Sequence, residues 1–164
     1  MEIVQSTRDY NLLMRECEQK ELETLMHGQT VDPLLYSLLL IVYLYNRDFA
    51  SARLVCLRNK VSDQDFSVLA SVAKHLSKFE YSQAHTLLQS TEWTRAQLKE
   101  LVQDLQERLR RDMMELLSRA YESISPQKAS ELLGISMDSV AGYVRERRWD
   151  IDAASGTRSF IVLI

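Results

Sequence analysis

Apolar residues recur at helical spacing through the N-terminal part of the chain, and short polar breaks separate the segments. The most apolar segment is "TVDPLLYSLLLIVYLYN", in which Asp32 can cap a helix whose first residue is Pro33. Its apolar run at residues 38–45 is far shorter than the roughly 18 residues that a membrane span needs. The pattern predicts antiparallel helices, with this one buried on most sides.

Two of the predicted helices repeat one pattern at an interval of 32 residues. Phe49 and Ala52 in "RDFASARLVCLRNK" correspond to Tyr81 and Ala84 in "FEYSQAHTLLQS". A small Ala between larger apolar residues lets paired helices approach closely, as in tetratricopeptide repeats of about 34 residues. An up-and-down bundle would give similar spacings, but the pattern favours stacked helical repeats.

A long amphipathic helix is predicted next, over residues 91–124. Thr94 would be its N-cap, with Gln97 three residues later completing a capping box. The apolar stripe begins at Leu98 and continues as far as Ile124. The charged residues on the opposite side are typical of a solvated face, so we give them no special role.

Two short helices and a hairpin are predicted after the long helix. Ser125 caps the segment "PQKASELLG", which ends at Gly134, and Ser136 caps "MDSVAGYVRERRW". The segment "IDAASGTRSFIVLI" predicts two short strands around a turn. The fold is therefore predicted to be mainly α, with a helical-repeat subdomain at residues 1–111 and a winged helix with a small β-hairpin at residues 112–164.

The charge of the C-terminal segment indicates whether that segment binds DNA or protein. Residues 112–164 hold six Lys and Arg against eight Asp and Glu. A recognition helix contacts bases through its N-terminal residues, and here those are Met137 and Asp138. The basic residues Arg147 and Arg148 lie at the other end, where cations complement the helix dipole. We therefore expect a protein partner and no nucleic acid.

Residues suited to catalysis or metal binding are scattered. No two of His27, His75 and His85 are spaced to share a metal ion, so each is interpreted as a surface or packing residue. Cys17 and Cys56 lie in apolar helical patterns without a CxxC spacing, which favours buried thiols in a reducing compartment. We assign no catalytic residue, cofactor, metal, membrane or small-molecule substrate, and we expect no signal peptide.

The order of the predicted elements resembles the PCI-domain family, which is found in the proteasome lid, the COP-nine signalosome and translation initiation factor three. Over roughly residues 10–160, "LLYSLLLIVYLYNRDFASARLVCLR", "EWTRAQLKEL", "LLSRAYESI" and "LLGISMDSVAGYVRERRWDIDAAS" are similar to strings of the signalosome's smallest subunit, subunit eight. The sequence departs from that pattern at Arg148, where Gly is expected before Trp149, and in "LRNKV", which lacks Trp and Pro. The family also continues beyond the position of Ile164, with a tail and a last helix.

The resemblance implies a non-catalytic scaffold subunit of the complex that removes the ubiquitin-like modifier Nedd from cullins. Its partners would be other PCI-domain subunits of the signalosome, in the cytoplasm and the nucleus. The alternatives are a PCI subunit of the proteasome lid or of a translation initiation complex, and a winged-helix protein that binds nucleic acid.

The final apolar run is the predicted partner interface, and it comprises Phe160, Ile161, Val162, Leu163 and Ile164. A wing strand that met only its own domain would alternate apolar with polar residues, and this one does not. If the strand is also a sheet edge, its open N–H and C=O groups would pair with a neighbour's strand. The alternatives are that the run is covered within the chain, or that it is shielded by the tail with which the family continues.

The acidic balance of residues 112–164 makes a prediction about nucleic acid. At physiological salt the purified protein should bind duplex DNA and RNA no more tightly than about 10⁻⁵ M, because an acidic surface releases few counterions from phosphates. Fluorescence anisotropy over a salt series measures this. Submicromolar binding that weakens steeply with salt would favour the nucleic-acid alternative.

Overall fold

The computed structural model describes residues 9–146, 149–152 and 160–163, and this part of the chain is mainly helical, as predicted. The helices are α1 (Tyr10–Met26), α2 (Pro33–Tyr45), α3 (Phe49–Arg58), α4 (Gln64–Ser77), α5 (Tyr81–Ser90), α6 (Ala96–Ala120), α7 (Pro126–Leu133) and α8 (Met137–Arg145). The strands are β1 (Ser123–Ile124), β2 (Trp149–Asp152) and β3 (Phe160–Leu163).

Helix α2 lies at the centre of the N-terminal array and contacts α1, α3, α4 and α6. Its start is as predicted, because Pro33 is the first residue and the Asp32 carboxylate accepts a hydrogen bond from the Leu34 N–H at 2.8 Å. Leu39, Leu40 and Ile41 are fully excluded from solvent. None of the described helices combines the length and the apolar content that crossing a membrane requires.

The 32-residue interval is present in the backbone as well as in the sequence. Arg47 and Phe79 both have a φ of 61°, in the left-handed region, at the turns before α3 and α5. The next residue closes each turn in the same way. The Asp48 N–H donates to the Tyr43 carbonyl at 2.9 Å, and 32 residues later the Glu80 N–H donates to the His75 carbonyl at 2.9 Å. The two helical units therefore share a turn as well as an apolar pattern.

The small residues of the repeat are buried as predicted. Ala52 is 1% exposed and Ala84 is fully buried, while Phe49 and Tyr81 are half-buried against the same core. A larger side chain at either Ala would meet the packed interior, where overfilling forces neighbours off their preferred rotamers.

The start of α6 differs from the prediction. The helix begins at Ala96 with Arg95 in the N-cap position, and no side-chain capping bond is present, so the capping box of Thr94 and Gln97 is wrong. The Thr94 hydroxyl donates instead to the Asp65 carboxylate at 2.5 Å, and the Thr94 N–H donates to it at 3.2 Å. Arg95 adds a bond to Asp63 at 2.9 Å, so this segment ties α6 to the start of α4.

The end of α6 also differs, because the helix stops at Ala120 and does not continue to Ile124. Ser123 and Ile124 form β1 instead, and Ile124 is buried. A two-residue strand has no periodicity that a sequence could show, and its bonds come from β3, far along the chain.

Two hydrophobic clusters form the core, and α6 contributes to both. Tyr81 contacts both clusters from the start of α5. The first cluster takes residues from α1 to α5 and the first half of α6. The second consists of Met113, Met114, Leu117, Ile124, Ala129, Leu133, Val140 and Val144.

Helix α7 begins and ends as predicted, whereas α8 begins as predicted but ends at Arg145, and Trp149, which was predicted to lie in this helix, is the first residue of β2. The Ser125 hydroxyl accepts from the Lys128 N–H, and Gly134 follows α7 with a left-handed φ of 62°. Ser136 occupies the N-cap of α8, although its hydroxyl pairs with Ser139 and not with a helix N–H. Arg147, Arg148 and the turn predicted between the last two strands lie outside the described residues.

Burial of Ala84 gives a test of the repeat. Ala84→Arg should lower the free energy of unfolding by about 3 kcal/mol or more, because it overfills the core and buries a charge. Ala50→Arg is the matched control, since Ala50 is exposed on α3 and should change stability little. Chemical denaturation measures both, and equal stabilities for the two variants would contradict the packing.

Candidate interaction surfaces

The predicted interface run lies on β3, which covers Phe160–Leu163, while Ile164 lies outside the described residues. The strand order is β1-β3-β2, so β3 is the middle strand and the condition that it form a sheet edge is not met. Ile161 is paired with Ile124 on one side and with Ile151 on the other. Backbone pairing with a neighbour is therefore excluded at Ile161 and Val162, because each of these residues already pairs with β1 on one side and with β2 on the other.

The strand edge that remains is on β2. All four residues of β2 pair antiparallel with β3, from Trp149 opposite Leu163 to Asp152 opposite Phe160. Within the described residues no strand pairs with the other side of β2. The sheet therefore carries a four-residue edge whose N–H and C=O groups could accept a neighbour's strand.

A cleft of about 410 Å³ lies where α5 meets α7 and the start of α8. The polar residues in its lining are Ser82, His85, Thr86, Gln89, Ser130, Glu131 and Ser136. Several of these side chains already form hydrogen bonds within the chain. The Gln89 amide donates to the Gly134 carbonyl at 2.6 Å, and the Ser130 hydroxyl donates to the Ile135 carbonyl at 2.7 Å.

His85 lies against Gly134 beside this cleft and is 1% exposed. A Cβ added to Gly134 would lie 2.4 Å from the His85 Cγ, so only glycine allows α7 to approach α5 this closely. The Arg110 side chain braces the same turn from α6 by donating to the Leu133 and Gly134 carbonyls at 3.1 and 3.3 Å. Helices α5, α6 and α7 therefore meet at one turn.

The imidazole of His85 is neutral at pH 7. Burial, with a smaller effect of the Arg110 charge, lowers the pKa of His85 to about 4. Neither ring nitrogen has a hydrogen-bond partner among the described residues. A buried polar group without a partner is costly, so this residue lowers the stability of the junction that it helps to form.

The other candidate chemical groups are separate from one another. His27 is exposed, and His75 pairs with Glu80 at 2.6 Å. Burial raises the pKa of the Cys17 and Cys56 thiols, which makes them poor nucleophiles. In the part of the chain that the structure describes, no three His, Cys, Asp or Glu residues are grouped to hold a metal ion.

Exposed apolar residues mark two further surfaces. One set of exposed leucines, Leu22, Leu25, Leu54 and Leu57, lies on α1 and α3, the two helices that the ion pair between Arg58 and Glu21 joins at 3.0 Å. The other is Phe79, which is 76% exposed at the turn between α4 and α5. Sequence reasoning missed Phe79 as a surface residue. The available signal was its position, since it stands 32 residues after Arg47 in the repeat.

Comparison with known proteins gives consistent matches. The model of the CSN8/PSMD8/EIF3K family matches residues 30–162. The chain is 26% identical to COP9 signalosome complex subunit 8 of Xenopus tropicalis over 157 residues, which cover 93% of this chain and 80% of the relative. The protein of that name from Dictyostelium discoideum is 25% identical over 161 residues, covering 93% and 78%. The one from Arabidopsis thaliana is 27% identical over 124 residues, covering 73% and 62%.

The burial of His85 predicts an acid-dependent loss of stability. The unfolded imidazole takes up a proton near pH 6.5 that the folded one refuses until about pH 4, so stability falls as pH drops through this window. The free energy of unfolding should fall by about 3 kcal/mol between pH 7 and pH 4. Urea denaturation at several pH values measures the loss.

His85→Leu should remove most of this drop, whereas His27→Gln, at an exposed position, should keep it. Parallel losses in the parent and the His85→Leu variant would show that other groups cause the acid sensitivity.

Proposed function

Because the chain belongs to the CSN8/PSMD8/EIF3K family, we propose that it acts as a scaffold subunit of the COP9 signalosome, without a catalytic role of its own. The observation that carries the proposal is that relatives from an amphibian, an amoeba and a plant bear the same name, COP9 signalosome complex subunit 8. In two of them the similarity spans 93% of this chain. These names favour the signalosome over the proteasome lid or an initiation complex.

The proposed domain organisation is that of PCI-domain proteins. Residues 1–111 form the helical repeats, and residues 112–164 form a winged helix. Three features support the boundary: the second hydrophobic cluster begins at Met113, α7 packs on α6 while α8 packs on α7, and the strands follow α6. The helix α6 that crosses the boundary would hold the two parts together.

The partners are proposed to be other signalosome subunits, in the cytoplasm and the nucleus, with no nucleic acid, membrane or small molecule involved. The scattered positions of the histidines and the raised pKa of both thiols support a role in assembly over a role in chemistry.

The proposed contact with a neighbouring PCI subunit uses the sheet that contains residues 160–163. Main-chain pairing would occur at the outer edge of β2, because β3 already pairs on both sides. The apolar run from Phe160 to Ile164 stays the predicted source of side-chain contacts. Main-chain bonds at a strand edge supply affinity with little dependence on sequence, which suits assemblies of divergent subunits.

The edge contact can be tested with two neighbouring proline substitutions in β2. Successive N–H groups of a strand point to opposite sides, so of Asp150→Pro and Ile151→Pro one removes a donor to β3 and the other removes a donor at the outer edge. The outer-edge variant should melt like the parent and lose co-purification with the remaining signalosome subunits of the same organism. The inner variant should melt at a lower temperature.

If both variants co-purify like the parent, the contact lies elsewhere, on the helical repeats. If the parent chain itself does not join those subunits, the proposed function is wrong.

A further inference from the structure

Phe79 combines two unfavourable features at one position. Its side chain is 76% exposed, and its backbone has a φ of 61°, which side chains with a Cβ rarely adopt. Glycine or asparagine would occupy this conformation at a lower cost, and a polar side chain would suit the exposure better. The folded chain alone therefore does not explain a phenylalanine here.

The equivalent position of the preceding repeat shows what a side chain can do at such a turn. Arg47 has the same φ of 61°, and its guanidinium lies 3.7 Å from the Asp112 carboxylate of α6. That side chain has an ionic partner within the chain. Phe79 packs with neither hydrophobic cluster.

The turn that carries Phe79 is well defined. The Phe79 N–H donates to the Leu76 carbonyl at 3.1 Å, and the Glu80 N–H donates to the His75 carbonyl at 2.9 Å. The His75 ring also lies 2.6 Å from the Glu80 carboxylate. The aromatic ring is therefore presented from a hydrogen-bonded turn, which reduces the conformational entropy lost when the turn is bound.

Two lysines precede Phe79 along the chain, Lys74 in the last turn of α4 and Lys78 directly before Phe79. Lys74 and Lys78 are exposed and one helical turn apart, and neither forms an ion pair within the described residues. The acidic neighbour, Glu80, is engaged by His75. An apolar ring with free lysines beside it complements an apolar pocket that has carboxylates at its rim.

We propose that Phe79 is the anchor of a second protein interface, and that it inserts into an apolar pocket with an acidic rim on a neighbouring signalosome subunit. The inference rests on the proposed function and adds a contact site on the helical repeats, in the α4–α5 turn. Aromatic residues in desolvated pockets carry much of the binding energy of interfaces. The strained conformation is retained because the turn aims the ring at the partner.

The decisive variant is Phe79→Gly, because it should keep or raise the stability of the chain and at the same time weaken its binding. Glycine relieves the left-handed strain, so thermal melting of the isolated chain should stay equal or rise by about 2–4 °C. Affinity for the immobilised complex of the remaining signalosome subunits from the same organism should fall at least tenfold. A substitution that leaves the fold intact and weakens assembly separates the contact from stability.

Two control variants separate the backbone change from the loss of the aromatic ring. Arg47→Gly makes the same backbone change in the preceding repeat, and it should leave affinity for the immobilised complex unchanged. Phe79→Tyr keeps an aromatic ring and should keep affinity within threefold of the parent. Lys78→Glu should weaken binding mainly at low salt, because the rim interaction is electrostatic.

Equal affinity of the parent and the Phe79→Gly variant would overturn this inference and leave the proposed function standing. A tenfold loss for Arg47→Gly as well would also overturn it, since the effect would then belong to the turns in general. Failure of the parent chain to bind the complex would overturn the proposed function, and this inference with it.

Discussion

The continuous helix α6 is packed into both hydrophobic cores, and the rest of the structure is arranged around it. Its 25 residues span about 38 Å. Leu98, Leu105 and Leu109 belong to the first cluster, whereas Met113 and Leu117 belong to the second. Because no loop separates the two sets, the C-terminal elements cannot turn relative to the repeats without bending or unwinding a helix whose apolar face is buried.

The turn after α7 also fixes the position of the C-terminal elements relative to the helical repeats. Gly134 packs on the buried ring of His85, and Arg110 and Gln89 donate to carbonyls of this turn from α6 and α5. The cost is a buried imidazole without a hydrogen-bond partner among the described residues. A scaffold gains from such a junction, because binding surfaces on both parts are then held at one distance and angle.

The two proposed contacts rely on different physics. A strand edge on β2 would offer backbone donors and acceptors, whereas Phe79 would offer an exposed aromatic ring that loses its water only when it is bound. Two modest contacts on one rigid body reinforce each other, because the first fixes the effective concentration for the second. Assembly at such surfaces requires shape and hydrogen bonding, and no reactive group.

The sequence by itself determined the features that depend on neighbours along the chain. Asp32 and Ser125 cap their helices, and Gly134 ends one, because each acts on backbone within a few residues. The helical periodicity of apolar residues likewise predicted that Ala52 and Ala84 are buried, and they are. Only the tertiary structure decided the rest, since distant partners set the outcome there. Thr94 bonds to an aspartate 29 residues away instead of capping α6, and residues 123–124 become a strand because β3 returns beside them. Local pattern cannot reveal such partners, because which distant donor meets which acceptor is fixed only when the helices and strands pack.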